Sequence, residues 1–136
     1  MITSAQADTL SKNIDSSCQF DFKQFCLTLN FEKEISRKKS SDFTLEVFKD
    51  GNRVALQKKP EIKLWMVMEN GHGHGSDPVE MKELAPGKYS VKNVWFLMRG
   101  EWEVKGSLNL DGKKSDFSIP VCVGKTPKES SVGKCK

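Results

Sequence analysis

A chain of 136 residues has room for one domain with a real hydrophobic core, and 37% apolar against 29% charged residues describes a soluble fold. Its longest uncharged apolar run, Leu64 to Met68, is far too short to span a bilayer. The net charge of +4 is scattered over turns beside acidic residues (Arg37, Lys38 and Lys39; Lys58 and Lys59) with no interleaved aromatics, which argues against nucleic-acid binding.

Residues 1–17 are polar, lack apolar periodicity and read as a flexible leader. Within them Ser4-Ala5-Gln6-Ala7 ends in the small-x-small pattern of a signal-peptidase cut, so the leader up to Ala7 reads either as a signal-peptide remnant with Asp8 as the mature start or as a chance match. The basic and apolar regions that precede such a cut are missing. A β domain is predicted over 18–124. Leu27, Leu29 and Phe31 alternate with Thr28 and Asn30, as in a half-buried strand. Phe43, Leu45 and Val47 repeat the pattern, and Asp50-Gly51-Asn52 supplies turn chemistry. A short run from Val54 to Leu56 returns as a hairpin. Ile62 to Met68 is apolar on both faces, which suits a central strand covered on both sides.

Pro78 to Leu84 then reads as a weak strand, Pro86-Gly87 as a turn, and Tyr89 to Met98 as a further strand before Arg99-Gly100. Trp102, Val104, Leu108 and Leu110 share one parity, Asp111-Gly112 turns the chain, and Phe117, Ile119, Val121 and Val123 form the last strand. The tail, 125–136, is rich in Lys, Ser, Gly and Pro and is expected to be flexible apart from Cys135. Nothing recurs at helical spacing. The prediction is an all-β, immunoglobulin-like β-sandwich of about seven antiparallel strands.

Four cysteines, Cys18, Cys26, Cys122 and Cys135, lie near the two ends of the chain without a Cys-x-x-Cys pair. That usage predicts disulfides, and with the leader it predicts a periplasmic or otherwise extracytoplasmic protein. Cys26 and Cys122 fall on the parity opposite to the core residues of their strands, so a bridge across the core is disfavoured. Cys18–Cys26 with Cys122–Cys135 would tie down the two ends. Cys26–Cys122 is the alternative if those strands are neighbours.

The segment Trp65-Met-Val-Met-Glu-Asn-Gly-His-Gly-His-Gly75 holds the only two histidines, His72 and His74, in a glycine-rich loop after two methionines. Imidazole and thioether ligate soft or borderline metals. In extended backbone a spacing of two puts both imidazoles on one side, roughly 6.5–7 Å apart at their Cα atoms. The candidate metal ligands are His72, His74, Met66, Met68 and Met98, with Met81, Asp77 and Glu80 as further donors. His with Met favours Cu(I), and copper is the expected ion; His with carboxylate would accept Cu(II) or Zn(II). The bland reading makes Met66 and Met68 core fillers, sharing the parity of Ile62 and Leu64, and the glycine-histidine segment a plain turn. No nucleophile–base arrangement or phosphate-cradling loop is recognisable, so no enzyme is expected. Trp65 and Trp95 stand on strands with two apolar faces. They mark either a partner surface or a face covered by Phe20, Phe22 and Phe25.

From Phe43 to Val123 the chain resembles the YtkA-like and FixH-like family of small exported β-sandwich domains. The likeness rests on Met66-x-Met-x-x-Gly-His-Gly-His-Gly75, on Ala85-Pro-Gly-Lys-Tyr-Ser-Val91, and on Phe96-Leu-Met-Arg-Gly-Glu-Trp-Glu-Val104. The resemblance implies copper handling or assembly of a respiratory complex. This chain departs from the pattern in its cysteine-bearing ends, and in Glu69-Asn70 where the family loop commonly offers another methionine. The expected function is therefore extracytoplasmic metal binding, in metal handling or assembly of a partner protein. The alternative of a different class is a non-metal interaction or structural domain of a cell-envelope assembly.

Overall fold

The computed structural model describes residues 18–68 and 73–135. The leader, residues 69–72 with His72, and residue 136 lie outside the described residues. Among the described residues, seven strands of five residues or more frame the fold: β2 (Cys26–Phe31), β3 (Phe43–Lys49), β5 (Glu61–Val67), β7 (Glu80–Ala85), β8 (Lys88–Lys92), β9 (Gly100–Leu110) and β10 (Lys113–Val123). Four short strands join them, β1 (Phe20–Asp21), β4 (Asn52–Arg53), β6 (Gly73–Gly75) and β11 (Ser131–Val132), with a 3-10 turn at Pro127–Glu129. One sheet runs β1-β2-β3-β8-β7, with β4 also on β3, and the other β11-β10-β9-β5-β6. Taking the seven long strands alone, β2-β3-β8-β7 faces β10-β9-β5, the strand order of a constant-type immunoglobulin sandwich. The expected fold is the observed one.

The alternating residues do what their period demands. Leu27, Leu29, Phe43, Leu45, Val47, Tyr89 and Val91 of one sheet bury against Leu64, Trp102, Val104, Phe117, Ile119 and Val121 of the other in one continuous core. Two hairpins close on Asp-Gly pairs with both central residues in the left-handed region: Asp50 (φ 52°) and Gly51 (φ 81°), Asp111 (φ 53°) and Gly112 (φ 78°). That geometry matches the right-handed twist of the strands it joins. It sets the full register of the long hairpin, from Lys113 opposite Leu110 to Val123 opposite Gly100.

Two expectations need correction. The strand expected from Tyr89 to Met98 ends at Lys92, where Asn93 adopts φ 62°. Beyond it Val94 donates its N–H to Ser40 Oγ (2.9 Å) and accepts the Ser41 N–H (2.7 Å), so the chain leaves the sheet to cross toward β9. The tail carries secondary structure rather than running free. Val132 pairs with Val121, Ser131 with Cys122, and the Gly133 N–H reaches the Pro120 carbonyl at 2.7 Å. The disulfides are Cys18–Cys26 and Cys122–Cys135, with no bridge across the core. Phe22 stacks on Phe25 (5.2 Å) and leans on Phe117 (6.2 Å), so these N-terminal aromatics close one part of the core.

Tyr89 gives a pH signature. Burial, then the Glu83 carboxylate, hold its phenol above the ordinary 10.0. The native state therefore keeps a proton that the unfolded chain has lost, so stability is full below pH ~10 and falls as pH rises through the native pKa. Tyr89→Phe is expected to flatten that fall in denaturant midpoints measured across the alkaline range.

Candidate functional site

The site is built on the β5–β6 hairpin, in which Trp65 pairs with Gly75, Met66 with His74, and Val67 with Gly73. The two glycines have a packing reason of their own. A Cβ on Gly73 would stand 2.2 Å from Trp65 Nε1 and 2.5 Å from the Met66 carbonyl oxygen, and one on Gly75 would touch the same indole at 3.8 Å. The Trp65 ring thus extends across β6 on the outer face of the sheet, and only glycine lets it lie there. Lys63 and Lys105 place their ammonium groups 5.4 and 5.6 Å from its centroid. Trp65 is half-buried. Trp95 donates its indole N–H to Asn93 Oδ1 at 2.9 Å. Gly73→Ala is expected to cost about 1–3 kcal/mol through overpacking. The check is a lowered denaturant midpoint together with a shift in tryptophan emission as the Trp65 ring is displaced.

The methionines divide by depth. Met66 is 7% exposed and packs inward, with its methyl 3.0 Å from where a Cβ on Gly100 would sit. Met68, on the same parity two residues on, is 38% exposed. Both line a cleft of about 730 Å³ with Arg99, Gly100, Glu101 and Cys135. Met98, 44% exposed, is fixed by its backbone: the buried Trp102 donates its indole N–H to the Met98 carbonyl at 2.8 Å. Trp102 is itself the register partner of Met66, so Met98 is held at this same end of the sheet. Position 74 enters through its register with Met66. Met81 and Glu80 lie on β7, in the opposite sheet.

Among the described residues no group of three or more His, Cys, Asp or Glu is placed to hold a metal ion. What gathers is sulfur: Met66, Met68 and Cys135 open on one cleft. Cys135 was missed because a cysteine near a chain end reads as a tether, and no local spacing relates it to Met68. A second, larger cleft of about 870 Å³, lined by Phe22, Ile62, Lys63, Lys105, Gly106 and Phe117 among others, holds neither histidine nor sulfur.

Fold and site define a small immunoglobulin-like domain, stapled at both ends by disulfides, with thioethers gathered at one end of a sheet. The YtkA-like family model matches residues 23–106, well over half of the chain, and the chain belongs to that family. The match takes in the hairpin, Pro86-Gly87 and Met98-x-Gly100-x-Trp102, and stops within β9, so Cys122, β11 and Cys135 lie beyond it. No curated protein matches the chain.

Proposed function

We propose that this protein is an extracytoplasmic, non-enzymatic domain that captures a soft metal ion, Cu(I) first, and passes it to a partner protein. The ligands are Met68 and Met98 with the histidines at 72 and 74, while Met66 forms the inner wall. The observation that carries the reading is that the exposed Met68 opens with Met66 on one cleft, at the end of the sheet where β6 pairs position 74 with Met66 and where Trp102 holds the backbone of the exposed Met98. Thioether and imidazole are neutral donors that suit Cu(I), and an exposed, incomplete shell permits ligand exchange with a recipient. The two disulfides support an oxidising compartment.

Titration of the oxidised protein with Cu(I) against a competing chelator tests this. One equivalent is expected, with His72→Ala/His74→Ala and Met68→Leu/Met98→Leu each weakening binding by about tenfold or more, or ~1.4 kcal/mol. Wild-type binding no tighter than that of the histidine variant would overturn the metal reading. The interaction-domain alternative draws on Leu97 and Met98, 60% and 44% exposed on the loop before β9. It expects Leu97→Asp to abolish partner binding with metal having no effect.

A further inference from the structure

The cleft that carries Met68 is walled by Cys135, a residue the family match does not reach. Cys135 Sγ lies 3.8 Å from the carbonyl oxygen of Gly100, the glycine against which the Met66 methyl packs. Its disulfide partner, Cys122, stands on β10 with the two Cα atoms 4.9 Å apart. The tail is also anchored without that bond, by the pairing of β11 with β10 and by the Gly133 N–H on the Pro120 carbonyl. Opening the disulfide therefore leaves Cys135 tethered beside Met68. A cystine sulfur is a poor ligand, whereas a thiolate is the softest and strongest donor a protein has.

We infer that Cys122–Cys135 is a redox-releasable part of the site, and that in the reduced chain Cys135 joins Met68 in holding a single Cu(I) ion. This rests on the soft-metal reading above. An external dithiol supplies both electrons and both protons. One of its thiolates attacks the Cys122–Cys135 bond to give a mixed disulfide, and its second thiol displaces the remaining cysteine. The products are two protein thiols and the reductant's own disulfide. Cu(I) then replaces the proton of the Cys135 thiol. An external disulfide oxidant reverses the exchange: it re-forms Cys122–Cys135 through a mixed disulfide and leaves as a dithiol, taking the Cys122 proton and one from solvent, and the Cu(I) freed from Cys135 returns to the weaker thioether–imidazole set, from which it is handed on. By linkage, bound Cu(I) favours the dithiol by the same factor as reduction tightens Cu(I).

The test reduces the protein with dithiothreitol, removes the reductant without oxygen, and titrates Cu(I) against bathocuproine disulfonate. Reduction of the wild type is expected to tighten binding at least about tenfold at one ion per chain. Reduced Cys122→Ser/Cys135→Ser, which still presents the Cys18 and Cys26 thiols, should gain much less. Reduced Met68→Leu, with all four cysteines intact, should bind more weakly than the reduced wild type. An equal gain in the serine variant, an unchanged affinity in Met68→Leu, or a second ion per chain would overturn the inference. If the serine variant fails to fold, reduced Cys135→Ala decides: it should bind Cu(I) no more tightly than the oxidised wild type, and an affinity equal to that of the reduced wild type would overturn the inference. Oxidised wild type that binds no Cu(I) sinks the soft-metal reading instead, whereas oxidised binding without a gain on reduction sinks only the redox step.

Discussion

Trp102→Ala is expected to destabilise the protein by about 3–5 kcal/mol, a large share of the ~5–15 kcal/mol a domain of this kind possesses. Two losses add. The indole is buried at the centre of the core and meets Phe96 edge-on at 5.4 Å, so truncation leaves a cavity between the sheets. Its N–H is also the donor to the Met98 carbonyl, which would lose its partner. Thermal unfolding should move down by roughly 10–20 °C, with denaturant slope unchanged if folding stays cooperative. Trp102→Phe separates the two losses. It keeps most of the ring and removes the donor, so it should cost only about 1–3 kcal/mol while loosening the loop that presents Met98. A phenylalanine variant as damaged as the alanine one would mean that the hydrogen bond, and not packing, dominates at this position.

That residue also shows which parts of the molecule were legible. Trp102, Val104 and Leu108 announce β9 because one face of each long strand is buried, and burial on one face writes period two into a sequence. The Asp-Gly pairs announce their hairpins because few other residues accept two successive positive φ angles. The break at Asn93 is equally present in the sequence: Tyr89 and Val91 face inward on odd positions, Val94 and Phe96 on even ones. A change of parity inside an apolar run means the chain has left its ladder.

Other features have no local signature. The pairing of Gly73–Gly75 with β5 is at odds with strand propensity and exists because Trp65 needs a side-chain-free strip beside it. Met66 and Met68 share a parity yet differ fivefold in exposure, since β5 ends at Val67 while the chain continues past it. The cleft between Met68 and Cys135 joins residues 67 positions apart. The docking of β11 on β10 and the Cys122–Cys135 bridge bring them together.

Cys122→Ser/Cys135→Ser is expected to lose about 3 kcal/mol, the entropy regained by an unfolded chain freed of a loop with sequence separation 13. The shorter separation of 8 makes the Cys18–Cys26 bridge worth slightly less, near ~2.5 kcal/mol. The stabilisation acts chiefly on the unfolded state, so the native tail should stay docked. Val132 still pairs with Val121, and Gly133 still donates to Pro120. Amide exchange distinguishes the two states of the tail. Protection at β11 that falls only with global stability means the wall of the Met68 cleft stands without its disulfide, and a Cys135 thiol would be held where an ion could use it. Protection at β11 that vanishes while β9 and β10 remain protected means the disulfide alone holds the tail. Reduction would then carry Cys135 away from Met68, and the cleft would lose a sulfur donor on reduction instead of gaining a thiolate.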